Sequence, residues 1–238
     1  MGNLFFDGRW ADDFGIVVSG EGSFAAPERD RDTEEVPGRS GALHFDNGRF
    51  RNVKIEYVAS VARNFRRKAP EIRAWLLSPT SYARLEDTYD TDCYRLAVCE
   101  SVEFTPGANN HTAEMKIVFD CKPQRFLKSG EIAIVQGGNG QIINPTQFDA
   151  LPLLRLRPVP SATKMTATIN GVTVEIKLDN ATDEYIDIDC ETMNVSQGTR
   201  NLNSATIAPE FPVLKPGENE ISYTNMIIGE LYGRWWTI

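Results

Sequence analysis

The chain closes on Ile228-Gly229-Glu230-Leu231-Tyr232-Gly233-Arg234-Trp235-Trp236-Thr237-Ile238, and the reading of this stretch decides the fold. Two of the four tryptophans stand within the last four residues, where chains are ordinarily frayed and polar unless something ties them down. Each indole can bury roughly 150–250 Å², so an adjacent pair predicts a docked strand. Alternation puts Leu231, Gly233 and Trp235 on one face and Tyr232, Arg234, Trp236 and Ile238 on the other. An aromatic on each face implies cover on both sides, from the strand's own domain and from a neighbouring subunit.

Working outward, aromatic usage divides the chain. Ten of the twelve phenylalanines precede Gly137-Gly138-Asn139-Gly140, and between Gly140 and Met226 the only aromatics are Phe148, Tyr185, Phe211 and Tyr223. The return of aromatics in the tail predicts that the closing strand belongs with the first unit. The middle section then reads as an insertion, with the glycine-rich run as its linker. Short strands at Leu151–Leu156, Met165–Ile169, Val172–Leu178, Tyr185–Cys190 and Glu220–Tyr223, with no helical period among them, indicate a β-sandwich. Ile169-Asn170-Gly171-Val172 is the strongest hairpin signal, because Asn-Gly suits the two positive-φ positions of a type I′ turn.

In the first unit, Phe14-Gly15-Ile16-Val17-Val18 predicts a strand, followed by the charged run Pro27-Glu28-Arg29-Asp30-Arg31-Asp32-Thr33-Glu34-Glu35, too polar for a core. Pro37-Gly38 fits the centre of a type II turn. The run is an exposed extension between strands, and its functional reading is a docking arm. Asn52–Val58 alternates with Val53, Ile55 and Tyr57 on one face. A helix is expected from Pro70, with Ile72, Trp75 and Leu76 on one side and a stop at Ser78-Pro79. Arg84–Asp87, Tyr94-Leu96-Val98 (Cys93, Arg95, Ala97 and Cys99 opposite) and Met115-Ile117-Phe119 predict further strands.

Bulk properties exclude several functions. The 238 residues suffice for a core without disulfides or metal. With 33 acidic against 25 basic residues, a formal charge of −8 and a pI near 4.9, specific nucleic-acid binding is not expected. The basic cluster Arg63, Arg66, Arg67 and Lys68 reads as a solvated helix face. No stretch approaches the ~20 apolar residues of a membrane span, and Met1–Asp7 lacks the basic start of a signal peptide. No membrane insertion and assembly in a cytoplasm are therefore expected. Cys93, Cys99, Cys121 and Cys190 lack metal-ligand spacing and read as free, mostly buried thiols.

Candidate chemistry is thin. Asp183, Glu184, Asp187, Asp189 and Glu191 invite a glycosidase or calcium reading, yet Ile186, Ile188 and Cys190 alternate with Asp187, Asp189 and Glu191 as on a strand with a wet face. Asp87, Asp90 and Asp92 read as turn caps. His44 and His111 lack triad partners, Ser40-Gly41 is no nucleophile elbow, and no Lys-Ser/Thr follows the glycine run. The expectation is no enzyme, no metal and no cofactor.

A set of short phrases resembles the distal tail proteins of bacteriophages with long, non-contractile tails. These are Phe6-Asp7-Gly8, Glu35-Val36-Pro37-Gly38-Arg39-Ser40-Gly41, Ala74-Trp75-Leu76-Leu77-Ser78, Arg84–Asp87 with Asp90–Arg95, Cys121-Lys122-Pro123, Asn144-Pro145, Pro212–Asn219 and Arg234-Trp235-Trp236. The resemblance implies a mainly β protein with a ring-forming, β-barrel-like domain over 1–130 carrying one helix and completed by a C-terminal strand over 224–238. It also implies a galectin-like β-sandwich over 136–222. It implies a homohexameric ring in the virion tail that joins the tail tube protein to tail-tip and receptor-binding proteins and lets DNA pass. The subunit-interface candidates are Glu28, Arg29, Asp30, Arg31, Asp32, Glu34 and Glu35 of the extension, which looks like a belt around the next subunit, and Arg234, Trp235 and Trp236 of the tail. Six copies would carry a formal charge of about −48, which suits a channel that DNA must not stick to. The rival reading is a carbohydrate-binding module engaging host cell-surface glycans. Against it stands the lack of tryptophan in the sandwich section, which predicts no appreciable glycan affinity over ~136–222.

Overall fold

The computed structural model describes residues 2–19, 25–107, 110–179 and 184–238. The chain divides into two compact units, Met1–Arg125 (with Ile238) and Phe126–Thr237. Asp183 of the acidic run lies outside the described residues.

The first unit contains β1 (Leu4–Phe6), β2 (Arg9–Trp10), a 3-10 turn over Ala11–Phe14, β3 (Ile16–Ser19), β4 (Arg29–Glu35), β5 (Ala42–Phe50), β6 (Val53–Val61), α1 (Phe65–Leu77), β7 (Ala83–Asp87), β8 (Cys93–Pro106) and most of β9 (Ala113–Leu127). The main sheet runs β2-β1-β7-β8-β9-β6-β3, and an antiparallel bridge between Gly2 and Val18 joins the start of β1 to β3. Strands β1, β7, β8, β9, β6 and β3 thereby close into a barrel-like ring, which leaves no free edge between β1 and β3.

Period-two alternation fills the interior. Val53, Ile55, Tyr57, Ala59 and Val61 of β6 face inward beside Ala113, Met115, Ile117, Phe119 and Cys121 of β9, in the register Ile55↔Phe119 and Tyr57↔Ile117. Both inward faces match the sequence reading. On β8, Ala97 and Cys99 are the residues that turn inward.

The helix corrects the sequence expectation. It begins at Phe65, five residues before Pro70, which sits inside it. Phe65, Ala69, Ile72 and Leu76 form one buried face at i, i+4, i+7 and i+11. Burying two further residues outweighs the backbone bond that proline forfeits, a cost of about 3 kcal/mol in a helix interior. Trp75 ties α1 to the barrel: its Nε1 donates to the Phe6 carbonyl at 2.8 Å, and its ring stacks on Phe14 with centroids 4.6 Å apart.

Strands β4 and β5 form a separate two-stranded sheet, the arm, which among the described residues joins no other sheet. Its tip is the expected type II turn, with Gly38 at φ 83° and the Arg39 N–H donating to the Val36 carbonyl at 3.1 Å.

The second unit holds β10 (Ile134–Gln136), β11 (Gly140–Asn144), β12 (Leu153–Pro158), β13 (Lys164–Ile169), β14 (Val172–Lys177), β15 (Ile186–Asp189), β16 (Asn194–Gln197), β17 (Arg200–Asn201), β18 (Thr206–Ile207), β19 (Gly217–Thr224), β20 (Met226–Tyr232) and β21 (Trp236–Thr237). Two sheets, β10-β20-β12-β15-β16-β17 and β11-β19-β13-β14-β18, enclose one core. The β13–β14 hairpin turns at Asn170 (φ 50°) and Gly171 (φ 84°), as Asn-Gly predicted.

Two boundaries are corrected. The glycine run is no interdomain linker: it carries the chain from β10 to β11, from one sheet of the second unit to the other, and Asn139 Oδ1 accepts the Tyr223 N–H at 2.8 Å. Most of the closing segment lies in the second unit, although its last strand, β21, pairs with β9 and so joins the main sheet. Strand β20 lies between β10 and β12, with Leu231 opposite Ile134 on one side and Leu154 on the other. Gly229, Leu231, Gly233 and Trp235 all point into the second core. Aromatic content misled because burial face and strand pairing decide where a segment docks, and the second core has room for one indole.

Candidate functional site

The ten interface candidates fall into two groups with opposite fates. Those of the tail are taken up within the second unit. Trp235 is 4% exposed and belongs to the core. Its ring folds back over Gly233, where a Cβ would lie 2.2 Å from ring carbons, and its backbone N presses on Gly130, whose Cβ would meet it at 2.5 Å. Trp236 stacks on Phe148 with centroids 4.3 Å apart and donates from Nε1 to the Asp149 carbonyl at 2.9 Å. Arg234, at φ 49°, forks onto Asp189 (Nη1–Oδ1 2.8 Å, Nη2–Oδ2 3.0 Å) and reaches Glu191 at 3.3 Å. Burial pushes the Asp189 carboxyl up, but the Arg234 guanidinium with the Thr192 and Glu191 N–H groups outweighs it and holds the carboxyl below its usual value.

These contacts also settle the geometry of the acidic run. Asp187 lies across from Arg155 and pairs with it at 2.9 Å, while Asp189 and Glu191 meet Arg234. Each of these three carboxylates faces a guanidinium, while Glu184 is exposed and, among the described residues, contributes only its carbonyl, to Gln197 Nε2 at 3.4 Å. Asp87 accepts from the Tyr57 hydroxyl at 2.6 Å and from two following backbone N–H groups, and Asp90 pairs with Arg125, so both serve the fold. The open groove over β6 and β9 contains Glu100 paired with Lys54 at 2.7 Å and Asp120 bound to Asn52 at 2.8 Å. Among the described residues no three His, Cys, Asp or Glu side chains are placed to hold a metal ion. Cys99, Cys121 and Cys190 are buried, which pushes their thiols up to about 12, and none of the four cysteines is in a disulfide.

The arm candidates remain largely in solvent, with one exception. Asp30, 6% exposed, is gripped by Arg49 (2.7 Å) and Arg51 (2.9 Å), and these bonds hold its carboxyl below its usual value. The grip sits at an irregularity in the ladder: register passes from Arg29↔Phe50 to Arg31↔Asp46, placing two extra residues on β5, with Gly48 at φ 72°. Beyond it the two faces of the ribbon differ, since cross-strand partners share a face. On one face Arg31 pairs with Asp46 at 3.8 Å and Thr33 bonds His44 at 3.2 Å, with Glu35 and Ala42 beyond. The other carries Asp32 opposite Phe45 and Glu34 opposite Leu43. Phe45 is 53% exposed, Glu34 has no ionic partner among the described residues, and Asp32 accepts from Asn47 Nδ2 at 3.3 Å and feels the Arg51 charge at longer range. Glu28 contributes its carbonyl to the Arg51 N–H, and Arg29 lies over the Phe50 ring at 4.3 Å.

Leu43, Phe45, Arg49 and Arg51 escaped the sequence reading because β5 was not foreseen as a strand. The signal was the Pro-Gly turn itself, which joins two antiparallel runs, with Leu43 and Phe45 alternating after it.

No protein-family model and no curated protein matches the sequence. Among solved structures, the chain is similar to the crystal structure of the SPP1 Dit (gp 19.1) protein, described as a paradigm of hub adsorption apparatus in Gram-positive infecting phages. The TM-score is 0.79 at 11% sequence identity, over 100% of both chains. At that identity the likeness establishes the fold, mainly β throughout.

Proposed function

We propose that this chain is a structural subunit of a phage tail-tip hub. The observation that carries the reading is the likeness to the Dit fold over the full length of both chains, and the sequence phrases quoted above point the same way. In this reading six copies form a ring in the virion tail between the tail tube and the tip or receptor-binding proteins, and DNA passes through it. The arm embraces the next subunit, as its exposed faces suit it to do. The work of the molecule is connection, with no reaction performed. The carbohydrate-binding alternative gains little support from the second unit, where Phe211 and Tyr223 pack against the core and Phe148 stacks on Trp236.

The test is solution mass combined with negative-stain imaging. Six copies of a 26.6 kDa chain give about 160 kDa in a closed ring. A chain that remains monomeric alone and in mixtures with its tail-tube protein would refute the reading.

A further inference from the structure

Helix α1 begins against the usual electrostatic rule. The amino end of a helix carries partial positive charge and favours acidic residues, yet its first turn contains Arg66 and Arg67 and no acid, and Asn64 precedes it at φ 56° without a side-chain cap. Lys68 and Arg73 are used locally: Lys68 Nζ donates to the Phe14 carbonyl at 2.7 Å, and Arg73 lies over the Phe104 ring at 5.3 Å. Arg63, Arg66 and Arg67 are exposed and form no ion pair among the described residues. Three unpartnered guanidinium groups in a chain of net charge −8, at a place that costs helix stability, mark a local rule broken for a function.

The complementary surface lies in the same unit. The Asp32–Glu34 face of the arm offers two carboxylates beside an exposed phenyl ring. Carboxylates two apart on a strand stand about 6.5 Å apart. Arg66 and Arg67 are adjacent in the first turn of α1, and Arg63 stands just before its cap. Guanidinium suits both features, forking onto carboxylates and covering an aromatic face.

We infer that the Asp32–Glu34–Phe45 face of one copy's arm seats on the Arg63–Arg66–Arg67 cluster of a second copy. This rests on the self-assembly reading above and names the surfaces that meet. The unfavourable helix start is relieved when the neighbour's carboxylates arrive, so assembly supplies the acids the helix lacks.

The test compares the full-length wild type with D32K/E34K, R66E/R67E and the four substitutions combined, by sedimentation across a concentration series and by thermal melting. Each pair of reversals should raise the concentration needed for assembly at least about tenfold, and the combined chain should recover to within about threefold of wild type. R66E/R67E alone should melt no lower than wild type, because glutamate suits the helix start; thus assembly falls while the fold does not. A wild type that stays monomeric overturns the self-assembly reading and this inference with it. Assembly indifferent to the reversals, or lost in both and not recovered in the combined chain, overturns only the pairing. Binding of short duplex DNA that depends on Arg66 and Arg67, with assembly unaffected, would assign the cluster to nucleic acid and also overturn it.

Discussion

The arm and the carboxy-terminal tail present the same question with opposite answers. Both were read from sequence as surfaces for a neighbouring copy. The tail turns its indoles into the second core and onto Phe148, and its Arg234 closes on Asp189. The arm settles only its root, where Arg49 and Arg51 hold Asp30, and leaves Asp32, Glu34 and Phe45 in solvent. Large apolar groups seek the nearest available core, and charged groups on a two-stranded ribbon have none to enter. The tail therefore bears stability, and the arm is free to bear contact.

Five substitutions break or sharpen that contrast. The largest effect is expected from Trp235→Ala, which removes a side chain buried in the second core and should cost about 3–5 kcal/mol. Chemical denaturation reads it directly, and a cost below about 1 kcal/mol would show the tail to be a surface element after all. Next is Gly233→Ala, whose new methyl meets the Trp235 ring and should cost about 1–3 kcal/mol by overpacking.

Asp189→Asn comes third. Solvent still reaches about a quarter of each partner, at 25% for Arg234 and 23% for Asp189, so a loss of about 1–2 kcal/mol at neutral pH is expected rather than that of a dry pair. Because the folded carboxyl lies below 3.8, its contribution is fully present above that value and disappears as pH falls through the folded one. The stability gap between wild type and variant should therefore hold constant from roughly pH 8 to pH 5 and close in stronger acid. A gap that instead grows on acidification would contradict the assignment.

The smallest effect belongs to the arm. Phe45→Ala should change unfolding stability by no more than about 0.5 kcal/mol, while Asp30→Asn should accelerate amide exchange in β4 and β5 and leave β6 and β9 protected. Exchange spreading into those barrel strands would show that the arm is no independent element.

Legibility followed the kind of signal. Strict alternation revealed both inward faces of the barrel, at Val53–Tyr57 and Met115–Phe119, and Asn170-Gly171 and Pro37-Gly38 specified their turns because few other residues adopt those φ values. The helix start was misplaced since proline is a strong local marker, whereas Phe65 and Ala69 matter only once something packs on them. The candidate site was half legible: the charged run Glu28–Glu35 stands out in the sequence, but the aromatic on the strand opposite it does not.

By itself the sequence determined the β class, the alternating faces, the tight turns and the docking of the Trp235–Trp236 strand, because these depend on residues a few positions apart. Only the tertiary structure decided which unit receives that strand, which arm carboxylates remain unpaired and which guanidinium groups stand alone. Those outcomes depend on partners tens of residues away, as with Leu231 beside Leu154 or Asp189 beside Arg234, and no local pattern of polarity encodes which of several compatible surfaces a chain will meet.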